Sequence, residues 1–172
     1  MTRFYQLSAV VLLCAAVAFA ADTQSAVDVG KPAPGFRLPD QNDQPVSLTE
    51  LRGKWVVLYF YPKDDTPGRT AEACEFTDAL KDFESMKAVV LGCSPDSPES
   101  HRKFIEKHDL KISLLSDQKR QVMTTYGAYD GKRVIRSTVI IDPNGNIAHH
   151  WPKVKPRGHA AEVKAKLAEL QK

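Results

Sequence analysis

The sequence predicts an α/β domain with a central mixed sheet flanked by helices. Three observations predict it. Short apolar, β-branched runs alternate with amphipathic helical stretches through the middle of the chain. A late Asn-Gly turn joins two apolar segments, which signals an antiparallel hairpin. A last amphipathic stretch closes the chain as a helix. The length of 172 residues fits one domain plus a targeting segment. A charged fraction of 26% excludes wholesale disorder and a polytopic membrane protein. The formal charge of +3 is too small to imply nucleic-acid binding. Three cysteines cannot build a disulfide scaffold or a four-thiolate zinc site.

In chain order, residues 1–20 read as a secretory signal peptide. Arg3 supplies the positive start, Ala9 to Ala20 an unbroken apolar run, and Ala18-Phe19-Ala20 the cleavage signal. The run of 12 is short of the roughly 20 apolar residues of a membrane span. Cleavage removes Arg3 and Cys14, which lowers the charge to +2 and leaves Cys74 and Cys93. The mature protein is expected to be exported, periplasmic or secreted, without stable membrane association. Residues 21–28 read as a flexible lead-in and 29–171 as the domain.

Lys54 to Tyr61 (KWVVLYFY) reads as a buried strand. Pro62 to Gly68 is dense in turn residues, and Thr70 to Phe83 carries Ala73, Phe76, Leu80 and Phe83 at helical spacing. Ala88 to Cys93 is a second buried strand. A Ser cap and Pro98 then open a helix with Phe104 and Ile105 inward. Ile112 to Leu115 is a short strand, and Arg120 to Tyr126 a short helix. Thr138 to Ile141 and Ile147 to Trp151 form a hairpin around Asn144-Gly145. Val163, Leu167 and Leu170 mark the final helix. This order is that of a thioredoxin-like domain.

The run Phe60-Tyr61-Pro62-Lys63-Asp64-Asp65-Thr66-Pro67-Gly68, followed by Thr70-Ala71-Glu72-Ala73-Cys74, resembles the active-site segment of peroxiredoxins. Gly92 to His101, Arg136-Ser137-Thr138, Ile141 to Gly145 and Lys153 to His159 extend the match. The similarity is to the bacterioferritin-comigratory-protein (PrxQ-type) subgroup, and it runs from about Val29 to Leu170. It implies a thioredoxin-like fold, a peroxide substrate, a thioredoxin-like reductant, no cofactor and a monomer. In such proteins a thiolate at a helix start attacks the distal peroxide oxygen and becomes a sulfenic acid. A second cysteine condenses with it, and a dithiol reduces the disulfide.

Position by position, the resemblance assigns Pro62, Thr66, Gly68 and Arg136 to peroxide binding, and Cys74 to the resolving role. The peroxidatic position is Arg69. A guanidinium has no lone pair to offer and cannot cycle through a sulfenic acid. It is also a cation in the first turn of a helix, disfavoured by roughly 0.3–1 kcal/mol. Four readings stand: a peroxiredoxin fold with lost or impaired peroxidase activity; a Cys74-based thiol oxidoreductase; a non-catalytic anion- or partner-binding module built on Arg69, Arg136 and Thr66; and an accidental codon change. Against the second, Cys74 lies about 7.5 Å along the helix from Arg69 and is rotated about 140°.

Cys93 reads as a buried small hydrophobe or as the partner of Cys74 in a disulfide. The five histidines show no metal-ligand spacing and read as surface or helix-end residues. Asp64 and Asp65 are expected to face solvent, Tyr61 to line the pocket and Trp55 to join the core. Lys153, Lys155 and Arg157 are expected to form a solvated face.

Overall fold

The computed structural model describes residues 27–65 and 67–172, and the side chains of Pro67 and Arg69 fall outside that description. The expected signal peptide and Thr66 lie outside the described residues.

Two short strands, β1 (Arg37–Pro39) and β2 (Pro45–Ser47), pair as an antiparallel hairpin that the sequence reading did not anticipate. Its turn is held locally: Asp40 Oδ1 accepts from the Asn42 and Gln44 amides at 2.7 and 2.9 Å, an Asx-type turn. A 3-10 turn follows at Leu48–Leu51. The main sheet contains β3 (Trp55–Phe60), β4 (Ala88–Ser94), β5 (Ser113–Ser116), β6 (Ser137–Ile141) and β7 (Ile147–Trp151). Their order is β5-β4-β3-β6-β7. β3, β4 and β5 are parallel, whereas β6 and β7 run antiparallel to their neighbours. This is the mixed sheet of a thioredoxin-like domain.

β3 lacks polar alternation because both faces of the sheet are covered. Val57, Tyr59, Tyr61, Phe76, Phe104, Ile140 and Val163 belong to one core cluster. Val56, Leu58, Phe60, Leu91, Cys93 and Met123 belong to the other. The period of two along β3 sends alternate side chains into each. Helices α1 (Pro67–Asp78), α2 (Leu80–Ser85), α3 (Pro98–His108) and α5 (His159–Leu170) contribute to the first cluster, and α4 (Gln121–Thr125) to the second. Trp55 is partly buried against the first cluster, as expected. Val27, placed in the expected lead-in, is only 4% exposed and joins the second.

The helix expected over Thr70–Phe83 is two helices, α1 and α2, meeting at Ala79. No Gly or Pro marks the break. It falls where the chain passes Ala160 and Ala161 of α5 in a shared cleft. α3 opens as expected: Ser97 accepts from the Ser100 amide at 3.2 Å, and Pro98 takes the first turn, where its missing N–H is harmless.

Gly92 has a specific reason. A Cβ there would stand 2.6 Å from the Tyr59 hydroxyl and 2.7 Å from Leu114. Tyr59 therefore lies across the β4 backbone at a position that only glycine leaves open. It stacks on Tyr61 and on Phe76 of α1, with ring centroids 5.6 and 4.8 Å away.

Candidate active site

The site forms where β3 ends and α1 begins. α1 starts at Pro67, so Gly68 and Arg69 both lie in its first turn. Arg136, in the segment leading into β6, comes up against that turn. A Cβ on Gly68 would be 3.6 Å from Arg136 Nη2 and 3.3 Å from Pro156 Cγ. Glycine thus admits both the guanidinium and the 152–158 loop. Arg136 Nη1 donates to Glu72 Oε2 at 2.9 Å, one turn further along α1. Glu72 is nearly fully buried and Arg136 is 18% exposed. This charge-assisted bond fixes the guanidinium toward the helix start. Glu72 escaped the sequence reading, although its place three residues after Arg69 puts it on the same helix face. The 152–158 loop is tied to α1 by Glu75, whose carboxylate accepts from the Gly158 amide at 2.9 and 3.0 Å.

Residues 29–150 match the AhpC/TSA family. The chain belongs to the peroxiredoxin family, in its Bcp/PrxQ-type branch. Among relatives, it is 44% identical over 149 residues to the putative peroxiredoxin bcp of Coxiella burnetii, covering 82% of this chain and 99% of that one. It is 39% identical over 152 residues to peroxiredoxin Bcp of Bacillus subtilis, covering 84% and 97%. Among solved structures, the C47S mutant of Xylella fastidiosa PrxQ superposes with a TM-score of 0.82 at 33% identity, covering 85% and 98%. The Bcp of Xanthomonas campestris does so with 0.75 at 34% identity, covering 80% and 92%.

The peroxiredoxin loop before α1 is anchored by a buried network, which corrects the expectation that Asp64 faces solvent. Asp64 is 5% exposed. Its Oδ1 accepts from the Tyr61 hydroxyl at 2.8 Å. Its Oδ2 accepts from the Ser100 hydroxyl at 2.8 Å and meets His101 Nδ1 at 2.9 Å. The Asp64 amide donates to Asp96 Oδ2 at 2.7 Å. Tyr61 is thus a core residue that holds the loop, where the sequence reading had it lining the pocket. His101 is fully buried, not a helix-end surface residue. Its second nitrogen, Nε2, faces the Leu115 carbonyl at 3.2 Å. The Asp64 carboxylate and the Leu115 carbonyl thus hold the ring from both sides. Asp65 is exposed as expected, yet it is paired with Lys107 at 2.6 Å and His108 at 2.9 Å. Hydrogen bonds from these two hold its carboxyl below the ordinary value. α3 therefore grips both acids of the turn.

His159 also departs from expectation. It is buried, with Nε2 at 2.8 Å from the Thr138 hydroxyl and its ring edge-on to Phe76 and Trp151. Burial lowers its pKa, against a smaller opposing effect of Glu162.

The two cysteines do not meet. Cys74 packs against the core cluster under α1, whereas Cys93 belongs to the cluster on the opposite face of the sheet. Both thiols are free. The sheet lies between them, so the Cys74–Cys93 disulfide considered from sequence is not formed. Cys93 is fully buried, and burial pushes its thiol well above the ordinary value, with Asp117 adding to it. Cys74 is partly exposed, yet burial and then Asp78 raise its pKa too. Neither thiol is activated.

Proposed function

We propose that this chain is a PrxQ-type peroxiredoxin whose thioredoxin-dependent reduction of hydrogen peroxide and alkyl hydroperoxides is impaired at one residue. The observation that carries this reading is the residue in the first turn of α1, next to Gly68 and the Arg136–Glu72 pair: it is Arg69. The relatives' names support the general activity, and the Xanthomonas campestris structure is described in terms of alkyl peroxide reduction. The pocket's binding groups support retained recognition of a peroxide. A guanidinium at the nucleophile's position supports loss of turnover. The raised thiol of Cys74, next to Asp78 and five residues from Arg69, speaks against its having taken over.

The chemistry is explicit for the restored thiol. In Arg69→Cys the thiolate would attack the distal peroxide oxygen, the O–O bond would break, and the alcohol or water would leave with a proton. The sulfenic acid would then condense with Cys74 to a disulfide and release water. Cys74 lies about 7.5 Å along α1 from residue 69, so condensation requires α1 to unwind locally.

Export to the periplasm and a monomeric state are part of the same reading. N-terminal sequencing of the secreted protein is expected to begin at Ala21, and sedimentation to give one chain. A protein retaining Met1 in the cytoplasm would remove the export reading. Peroxide consumption with a thiol reductant tests the activity. The unaltered chain is expected to be slow and unaffected by Cys74→Ser. Fast turnover abolished by Cys74→Ser would make Cys74 the nucleophile and overturn the proposal.

A further inference from the structure

The chain's small positive excess looks dispersed in sequence, but the fold gathers cations beside the site. Two clefts adjoin the segment Arg133–Arg136. One, of about 520 Å³, has Pro62, Arg120, Tyr129, Lys132 and Arg133 on its walls. The other, of about 340 Å³, has Arg133, Ile135, Arg136 and Lys153. Arg133 and Val134 line both, so the clefts lie side by side around that segment. The walls carry five cations and no carboxylate. The clefts beside α3 and between α1 and α5 differ, because each mixes cations with Asp and Glu.

Glu72 pairs with Arg136, and Asp130 pairs with Arg133 at an exposed contact of 3.3 Å. The other three, Arg120, Lys132 and Lys153, form no salt bridge among the described residues. The cations come from four separate places: the start of α4, the 130–133 turn, the approach to β6 and the loop after β7. Arg120 is steadied 5.6 Å over the Tyr129 ring. Tyr129, Val134, Ile135 and Pro62 supply apolar wall between the charges.

We propose that this double cleft binds a small polyanion carrying two or more carboxylate or phosphate groups. Guanidinium forks recognise such groups bidentately. Concave clefts of this size suit a small molecule. Charges spread over two neighbouring clefts favour an anion with separated groups over a single one. The clefts share Pro62 and Arg136 with the proposed peroxide pocket, but Arg120, Lys132, Arg133 and Lys153 lie outside it, and anion binding does not require peroxide turnover, so the two readings fail separately.

Calorimetric titration of the full chain with citrate, pyrophosphate and ATP tests it, with sulfate and a hexaglutamate peptide as comparators. At low salt the multivalent anions are expected to bind at least ~10-fold more tightly than sulfate, and to weaken ~10-fold toward physiological salt. The double variant Lys132→Glu, Lys153→Glu is expected to weaken them ~10-fold or more. Both side chains are exposed, and an unchanged melting curve checks that the variant folds. Lys164→Glu, in the cleft between α1 and α5, is expected to leave binding unchanged. No binding, equal binding of sulfate, or equal loss in Lys164→Glu overturns the site. Hexaglutamate binding more tightly than every small anion overturns it in favour of an acidic protein surface.

Discussion

Single residues decide the chemistry of this site, and the first of them is buried. His101 and Asp64 form a buried hydrogen-bonded pair, 0% and 4% exposed at the side chain. Removing His101 takes one buried partner from the Asp64 carboxylate and leaves it the Tyr61 and Ser100 hydroxyls, at about 1–3 kcal/mol. His101→Leu is therefore expected to destabilise the protein by about 2 kcal/mol, measured by urea unfolding. Unchanged stability would mean that the pair contributes nothing net. A second residue-scale prediction concerns pH. Burial lowers the folded-state pKa of His159, and likewise of His149 and His150. Below the unfolded value of about 6.5 the unfolded chain then binds more protons than the folded one. Stability is expected to fall as pH drops from 7.5 to 5.5, and His159→Gln to flatten that fall. A urea midpoint constant over this window would contradict the assignment. The sequence did not reveal Asp64 or His101. They are 37 positions apart, and a carboxylate in a polar turn looks solvated until α3 is placed over it. Glu72 was hidden for the same reason, since its partner Arg136 is 64 positions away.

At the scale of elements, legibility follows how local the cause is. β3 was readable because aromatic and β-branched residues fill it on both faces. The β6–β7 hairpin was readable because Gly145 takes φ of +79° in the turn, which glycine adopts without strain. The start of α3 was readable from Ser97 and Pro98. The division of α1 from α2 was not, because no Gly or Pro marks the break at Ala79. The motif glycine in β4 has an element-scale consequence. Gly92→Ala would drive a methyl into Tyr59 and Leu114. It is expected to destabilise by about 1–3 kcal/mol and to perturb the Tyr59–Phe76 stack, read as altered near-ultraviolet circular dichroism. A neutral substitution would show that the β3–β4–α1 packing is looser than described.

For the whole molecule, sequence and structure agree on architecture and disagree on which groups are paired. The parallel strands and closing hairpin place the ends of β3 and β4, the start of α1 and the approach to β6 on one side of the sheet. That side holds Gly68, Arg136, Glu72 and the anchored 61–65 turn. The two thiols are left on opposite faces, so neither the sheet nor the helices assemble a thiol pair. On the proposed reading, the protein keeps the family scaffold around a peroxidatic position that carries Arg69 in place of a nucleophile. Initial rates of peroxide consumption by the unaltered chain and by Arg69→Cys, at saturating thiol reductant, test this most directly. A slow parent and a gain of at least ~100-fold in the variant are expected. A parent that already reduces peroxide as fast as Arg69→Cys would contradict it.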